Sequence, residues 1–206
     1  MNQTINFHHC RDRFGSHSSN SLAAILLSFQ MASRRQARDQ DERAGAEIVK
    51  GTNACHRHSM ELLQELGFPK GVLPLQELEE CGRVRETGFV WMKSKAPYEH
   101  FFVATNTRVS YATEVTAYVE KGKMKKMTGI KSKQMLLWIP VTEMCIIQTE
   151  QKEEALVNHK IHFKTPMGIG KYFPISAFMT QEEKNEYLQI QTKTQPQQNA
   201  VLYMNK

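Results

Sequence analysis

From Arg108 to Glu120 apolar and polar residues alternate, so that Tyr111, Thr113, Val115, Ala117 and Val119 share one face of an extended chain. Such a strand buries one side and shows the other to water, as strands of antiparallel sheets commonly do. Lys121-Gly122-Lys123 then offers a tight turn, and Met124 to Lys131 return beside the first strand. Shorter segments repeat the pattern. Val84 to Lys93 read as a hairpin about Glu86-Thr87-Gly88, Tyr98 to Ala104 as a strand after the Pro97 turn, and Lys160 to Thr165 as a further strand. Met167-Gly168-Ile169-Gly170 turns the chain towards Tyr172 and Phe173. Gln134 to Ile147 are apolar on both sides, with Leu137, Ile139 and Val141 on one and Leu136, Trp138 and Met144 on the other. A strand of that kind is covered on both faces or bends at Pro140. Consecutive short strands with tight turns predict a mainly β fold, an antiparallel meander closed into a small β-barrel.

Helical signals flank this region. Thr52 is placed to cap a helix running to Leu66, with Cys55, Ser59, Leu62, Leu63 and Leu66 on its apolar stripe. Gly67 can take the left-handed conformation that stops it, and Phe68-Pro69 and Pro74 hand over to extended chain. Alternating charges between Arg34 and Lys50 suggest a short exposed helix ending at Gly51. Thr180 and Glu183 stand at capping-box spacing, so a short helix is expected over Gln181 to Ile190. The loop from Thr149 to Asn158 is polar, and the Gln-rich stretch 191–206 has little to bury and is expected to be disordered. The expected organisation is an extension over 1–30, N-terminal helices over 31–77, the barrel over 78–180, and a short helix and tail over 181–206.

Hydrophobic residues at 40% of 206 give enough apolar surface for a real core. The formal charge of +6 leans towards anionic partners but is too small to imply nucleic acid. Cys10, Cys55, Cys81 and Cys145 form no CxxC pair, so neither a disulfide framework nor a zinc site is suggested. Reduced thiols fit a cytoplasmic protein, and a monomer is expected. The apolar run Leu22 to Phe29 is too short to span a bilayer, and no convincing small-x-small cleavage site follows it. Met31-Ala32-Ser33 reads as the true start; a plastid transit peptide over 1–30 is the alternative.

No Walker loop, GxGxxG, GxSxG or HExxH is present. Gly168-Ile169-Gly170-Lys171 is a hairpin turn more readily than a phosphate cradle, since no helix signal follows. Cys55 and His58 can share a helix face, but two ligands fall short of a zinc site. No cofactor or metal is expected. Lys121, Lys123, Lys125, Lys126, Lys131 and Lys133 make the densest charge feature. They serve either to discourage edge-to-edge pairing or to meet anionic lipid head groups. Trp91, Phe102, Tyr111, Val115 and Trp138 are placed to line a barrel interior, which is either packed solid or open to one small ligand.

Taken together, MELLQELGFPKGVLPL, CGRVRETGFVWMK, VSYATEVTAYVEKGKMKKMTGIKSKQMLLWIPVTEM and IHFKTPMGIGKYFPISAFM resemble the plant family called domain of unknown function 538 over about residues 40 to 180. The MAS start continuing to RAGAEIVKG resembles the branch without a signal peptide. The resemblance implies a small barrel with flanking helices, comparable to the tubular lipid-binding fold of bactericidal permeability-increasing protein. It also implies roles in stress response and development, and carries no accepted catalytic motif. The expected function is non-enzymatic binding of a hydrophobic or amphipathic molecule or lipid. A regulatory adaptor for another protein is the second expectation, supported if Phe68, Val72 and Leu73 are exposed; an esterase acting on chlorophyll or cell-wall esters is the third.

Overall fold

In the computed structural model, which describes residues 25, 27–33, 42–147, 159–186 and 189, the strands are β1 (Glu47–Lys50), β2 (Leu78–Val84), β3 (Phe89–Ser94), β4 (Tyr98–Phe102), β5 (Thr107–Glu120), β6 (Lys123–Gln134), β7 (Leu137–Pro140), β8 (Glu143–Ile147), β9 (Lys160–Lys164) and β10 (Gly170–Pro174). Met1–Glu42 and Arg43–Lys206 are separate units. In the first, 25 and 27–33 are helical and exposed. The expectations for 149–158 and 191–206, and most of that for 1–30, fall outside the described residues.

All strand pairs are antiparallel, in the order β1-β2-β3-β5-β6-β8-β9-β10. β4 continues the β3 edge of β5, and β7 continues the β8 edge of β6. The expected closure into a barrel does not occur: among the described residues β1 and β10 are the two ends of one open, curled sheet. Its inner face is plugged instead. Helix α1 (Thr52–Leu66) lies against β1 and β2, and two 3-10 turns, Lys70–Val72 and Ile175–Phe178, pack on each other beside it.

α1 buries Cys55, Ser59, Leu62, Leu63 and Leu66, the stripe that helical spacing predicts. Each leucine so buried contributes about 1.5–3 kcal/mol. Gly67 ends the helix at φ 80°, with the Gly67 and Phe68 amides returning to Gln64 and Leu63 carbonyls at 3.0 and 2.9 Å. Thr52 is not the cap: it is the first helical residue, Gly51 at φ 92° precedes it, and the Gly51 amide bonds Glu79 O at 2.9 Å. Of the helix expected between Arg34 and Gly51, residues 34–41 fall outside the described residues; Glu47–Lys50 forms β1 instead, because it finds an open edge on β2.

The β5–β6 hairpin forms with Lys121-Gly122 as its turn. Its ladder breaks midway, where the four residues from Ala112 to Val115 stand opposite Gly129 alone. Gly129 has φ 78°, and a Cβ there would lie 2.2 Å from Glu114 O. The break turns Thr113 outwards, so the five-residue face expected on β5 is interrupted at that position. At the C-terminal side, Thr180 and Glu183 form the capping box, Glu183 N to Thr180 Oγ1 at 3.2 Å and Thr180 N to Glu183 Oε2 at 2.8 Å. Glu183 Oε1 also accepts from Lys70 N at 3.0 Å, joining the two plugs.

Candidate functional site

Beyond the Gly129 break, β5 and β6 present Val109, Tyr111, Ile130 and Ser132 to the same space as Phe163 of β9 and Phe173 of β10. Val72, Leu73 and Phe178, from the 3-10 turns and their flanks, close its inner end. The result is an open-mouthed cavity of about 160 Å³. An apolar cavity of about 150 Å³ takes up benzene. This one therefore accommodates a ring or a short stretch of chain, and a larger ligand would leave the rest of itself at the mouth.

Chemistry changes from floor to mouth. The inner wall is apolar, with Phe102, Met127, Val141 and Met144 completing it. Burial raises the Tyr111 hydroxyl well above its ordinary pKa, so it stays protonated. Thr105, Thr107, Ser132, Gln134, Thr165, Lys164 and Lys171 make up the polar part of the lining. Lys164 Nζ lies 2.8 Å from Glu143 Oε1, which raises the lysine pKa and lowers that of Glu143. Among the described residues Lys171 has no ion-pair partner.

The five residues expected to share an interior are not brought together. Phe102 and Tyr111 line the cavity. Val115 sits further along the inner face, in a void of about 20 Å³ beneath α1. Trp91 points to the opposite face, because β3 alternates: Val90 and Met92 turn inwards, Phe89 and Trp91 outwards. There Trp91 Nε1 donates to Glu80 Oε1 at 3.1 Å, lowering the Glu80 pKa, and Arg43 lies over its ring at 4.7 Å. Trp138, half-buried on β7, lies beneath Lys133 at 5.7 Å. Floor residues such as Ile130, Phe163 and Phe178 escaped sequence reasoning, since only the bend at Gly129 and the plug bring them together.

The six lysines are also divided. Lys121, Lys123, Lys125 and Lys126 belong to the β5–β6 turn, where Lys125 pairs with Glu120 at 2.6 Å, Lys123 with Glu143 at 3.4 Å, and Lys126 lies over Tyr118. Lys131 and Lys133 belong to the other end of β6, beside the cavity mouth.

Other reactive side chains do not converge on the cavity. The Cys55 thiol donates to Val49 O at 3.3 Å, and burial, with Cys55 beside it, pushes the Cys81 thiol up to about 12. Cys145 stands opposite His162 across β8 and β9, but His162 stacks on Tyr172 at 4.0 Å and is not part of this cavity's lining. No metal-binding group of three occurs among the described residues, and no described helix is long and apolar enough to cross a membrane. Phe68, Val72 and Leu73 are buried and offer nothing to a protein partner.

Residues 59–179 match the model of the family described as Protein of unknown function, DUF538. No curated protein and no solved structure matches the chain.

Proposed function

Because the chain belongs to the DUF538 family, whose description assigns no activity, we propose a function from the geometry: the protein is a non-enzymatic binder of a small amphipathic molecule. The observation that carries this is the cavity, apolar within and bordered by hydroxyl, amide and lysine side chains. A rigid apolar pocket with a few polar groups is the usual form of a small-molecule site. At about 160 Å³ it holds the apolar part of a ligand. Lys171 and the hydroxyls favour an anionic or hydroxylated head.

The test is a fluorescence titration of the full chain with 1-anilinonaphthalene-8-sulfonate, an aromatic ring system bearing a sulfonate, followed by displacement with decanoate. Saturable one-to-one binding that decanoate reverses is expected. Ser132→Trp, which fills the mouth from a half-buried position, weakens binding at least tenfold, about the effect of losing a well-buried contact worth ~1.4 kcal/mol. A linear, non-saturating titration, or wild-type affinity in Ser132→Trp, overturns the reading.

A further inference from the structure

Three loops surround the cavity mouth, and each exposes apolar side chains. The β4–β5 connection shows Val103 at 82% exposure, the β6–β7 turn shows Met135 at 96%, Leu136 at 91% and Leu137 at 68%, and the β9–β10 turn shows Met167 at 80% and Ile169 at 66%. Pairing places them at one end of the sheet. Val109 faces Ser132 and Gln134 faces Leu137, while Thr142 N bonds Lys164 O, so the chain beyond Lys164 runs on towards the same end. Thr105, Gln134 and Ile169 meet in the lining of one cavity.

Turn chemistry does not explain these residues. A two-residue hairpin turn needing positive φ is easiest for Asn or Gly. The β6–β7 turn instead holds Met135 at φ 54° and leaves its side chain almost wholly in water. The β9–β10 turn is fixed from within: Thr165 N and Oγ1 both donate to Ile169 O, at 3.0 and 2.8 Å, and Gly168 N to Thr165 O at 2.9 Å. Met167 and Ile169 are therefore held outwards by an ordered turn. Exposed apolar tips on separate loops at one end of a molecule mark an interaction surface.

Charge identifies the occupant. Lys131, Lys133 and Lys171 are exposed just behind the tips, and Lys133 lies over Trp138. Among the described residues Lys131, Lys133 and Lys171 have no ion-pair partner, in contrast to Lys123 and Lys125 at the other end of β6. Apolar tips with cations and an aromatic ring one layer behind match a bilayer, where chains enter the acyl boundary and lysines meet anionic head groups. The geometry points to the cavity-mouth end as a docking surface for an anionic phospholipid membrane, with the cavity opening into the interface. This goes beyond ligand binding in the cavity and rests on the loop tips and on Lys131 and Lys133, with Ile169 and Lys171 shared between tip and cavity lining.

The test is flotation of the full chain with vesicles of phosphatidylcholine, with and without phosphatidylserine, alongside the anilinonaphthalene titration in solution. Wild type floats with the anionic vesicles and less with neutral ones. Leu136→Asp with Leu137→Asp abolishes flotation while leaving solution binding of the dye unchanged, and Lys131→Glu with Lys133→Glu weakens flotation roughly tenfold. Lys121→Glu with Lys125→Glu, at the opposite end, leaves it intact. Ser132→Trp still floats, which separates docking from cavity binding. Met135→Gly gives opposite signs, a more stable fold and weaker flotation, a combination that a purely structural turn would not produce. Wild-type flotation of the Leu136→Asp, Leu137→Asp variant, or loss in the Lys121→Glu, Lys125→Glu variant, overturns the proposal. So does a dimer in solution that the leucine substitutions dissolve, since a second copy would then be the occupant.

Discussion

The two ends of β6 obey different rules. At its start the chain turns through Lys121-Gly122, a glycine takes the positive φ of the turn, Lys123 and Lys125 are ion-paired, and Lys126, itself at φ 49°, lies over Tyr118. At its end a methionine takes the positive φ of the turn, three consecutive apolar side chains stand in water, and Lys131 and Lys133 have no ion-pair partner among the described residues, Lys133 lying over Trp138. The first turn is what folding alone would select. The second puts a β-carbon at a positive φ where glycine would be unstrained, and on the membrane-docking proposal that cost is offset outside the fold.

Between the two ends lies the Gly129 break, and removing it should have the largest effect. Gly129→Ala drives a Cβ into Glu114 O and forces a side chain into positive φ. The expected loss is roughly 4 kcal/mol, overpacking and backbone strain each supplying about half. Urea unfolding reads it directly, and a loss under about 1 kcal/mol would show that the sheet bends without the glycine. Next come the turns themselves. Gly122→Ala should cost about 1–2 kcal/mol, and Met135→Gly should gain about 1 kcal/mol. The same sign for both in thermal unfolding would erase the contrast between the ends.

Acid should act on the paired end. The Lys164 hydrogen bond, and Lys123 after it, hold the Glu143 carboxyl below its ordinary value of 4.5. A folded-state pKa below the unfolded one stabilises fully above pH 4.5, and that contribution is lost as pH falls through the folded value. Glu143→Gln should therefore lower stability modestly in the neutral region and leave it little changed at the acid end, so that the acid limb of the stability curve flattens. The smallest effect belongs to Lys125→Ala, within about 0.5 kcal/mol, because its ion pair with Glu120 is exposed. A larger loss would mean the lysine turn carries more of the fold than its exposure suggests.

Much of the fold was legible because local chemistry decided it. The stripe from Cys55 to Leu66, the stop at Gly67, the turn at Lys121-Gly122 and the Thr180–Glu183 box each need only neighbouring residues. The site was harder to read. Hydropathy reads Gln134 to Ile147 as a strand either covered on both faces or bent at Pro140; β7 does end at Pro140, but the first apolar residues face solvent rather than a covering layer. A leucine in a core and a leucine on a tip are the same letter. Trp91 is expected in the interior, whereas it lies on the opposite face, where Gly82, directly across on β2, leaves room for the indole ring. Barrel closure failed for a related reason, since strand count says nothing of what plugs the sheet.

The joining of the two plugs through Glu183 also sets an order of events during synthesis. The wall around Val72 and Leu73 is made early, but Phe178 and Glu183, which complete it, follow about a hundred residues later. At about 5–20 residues per second the ribosome takes roughly 5–20 s to deliver them. During that interval Val72 and Leu73 lack the later partners that bury them, so a chaperone has its easiest access to this apolar face before translation ends.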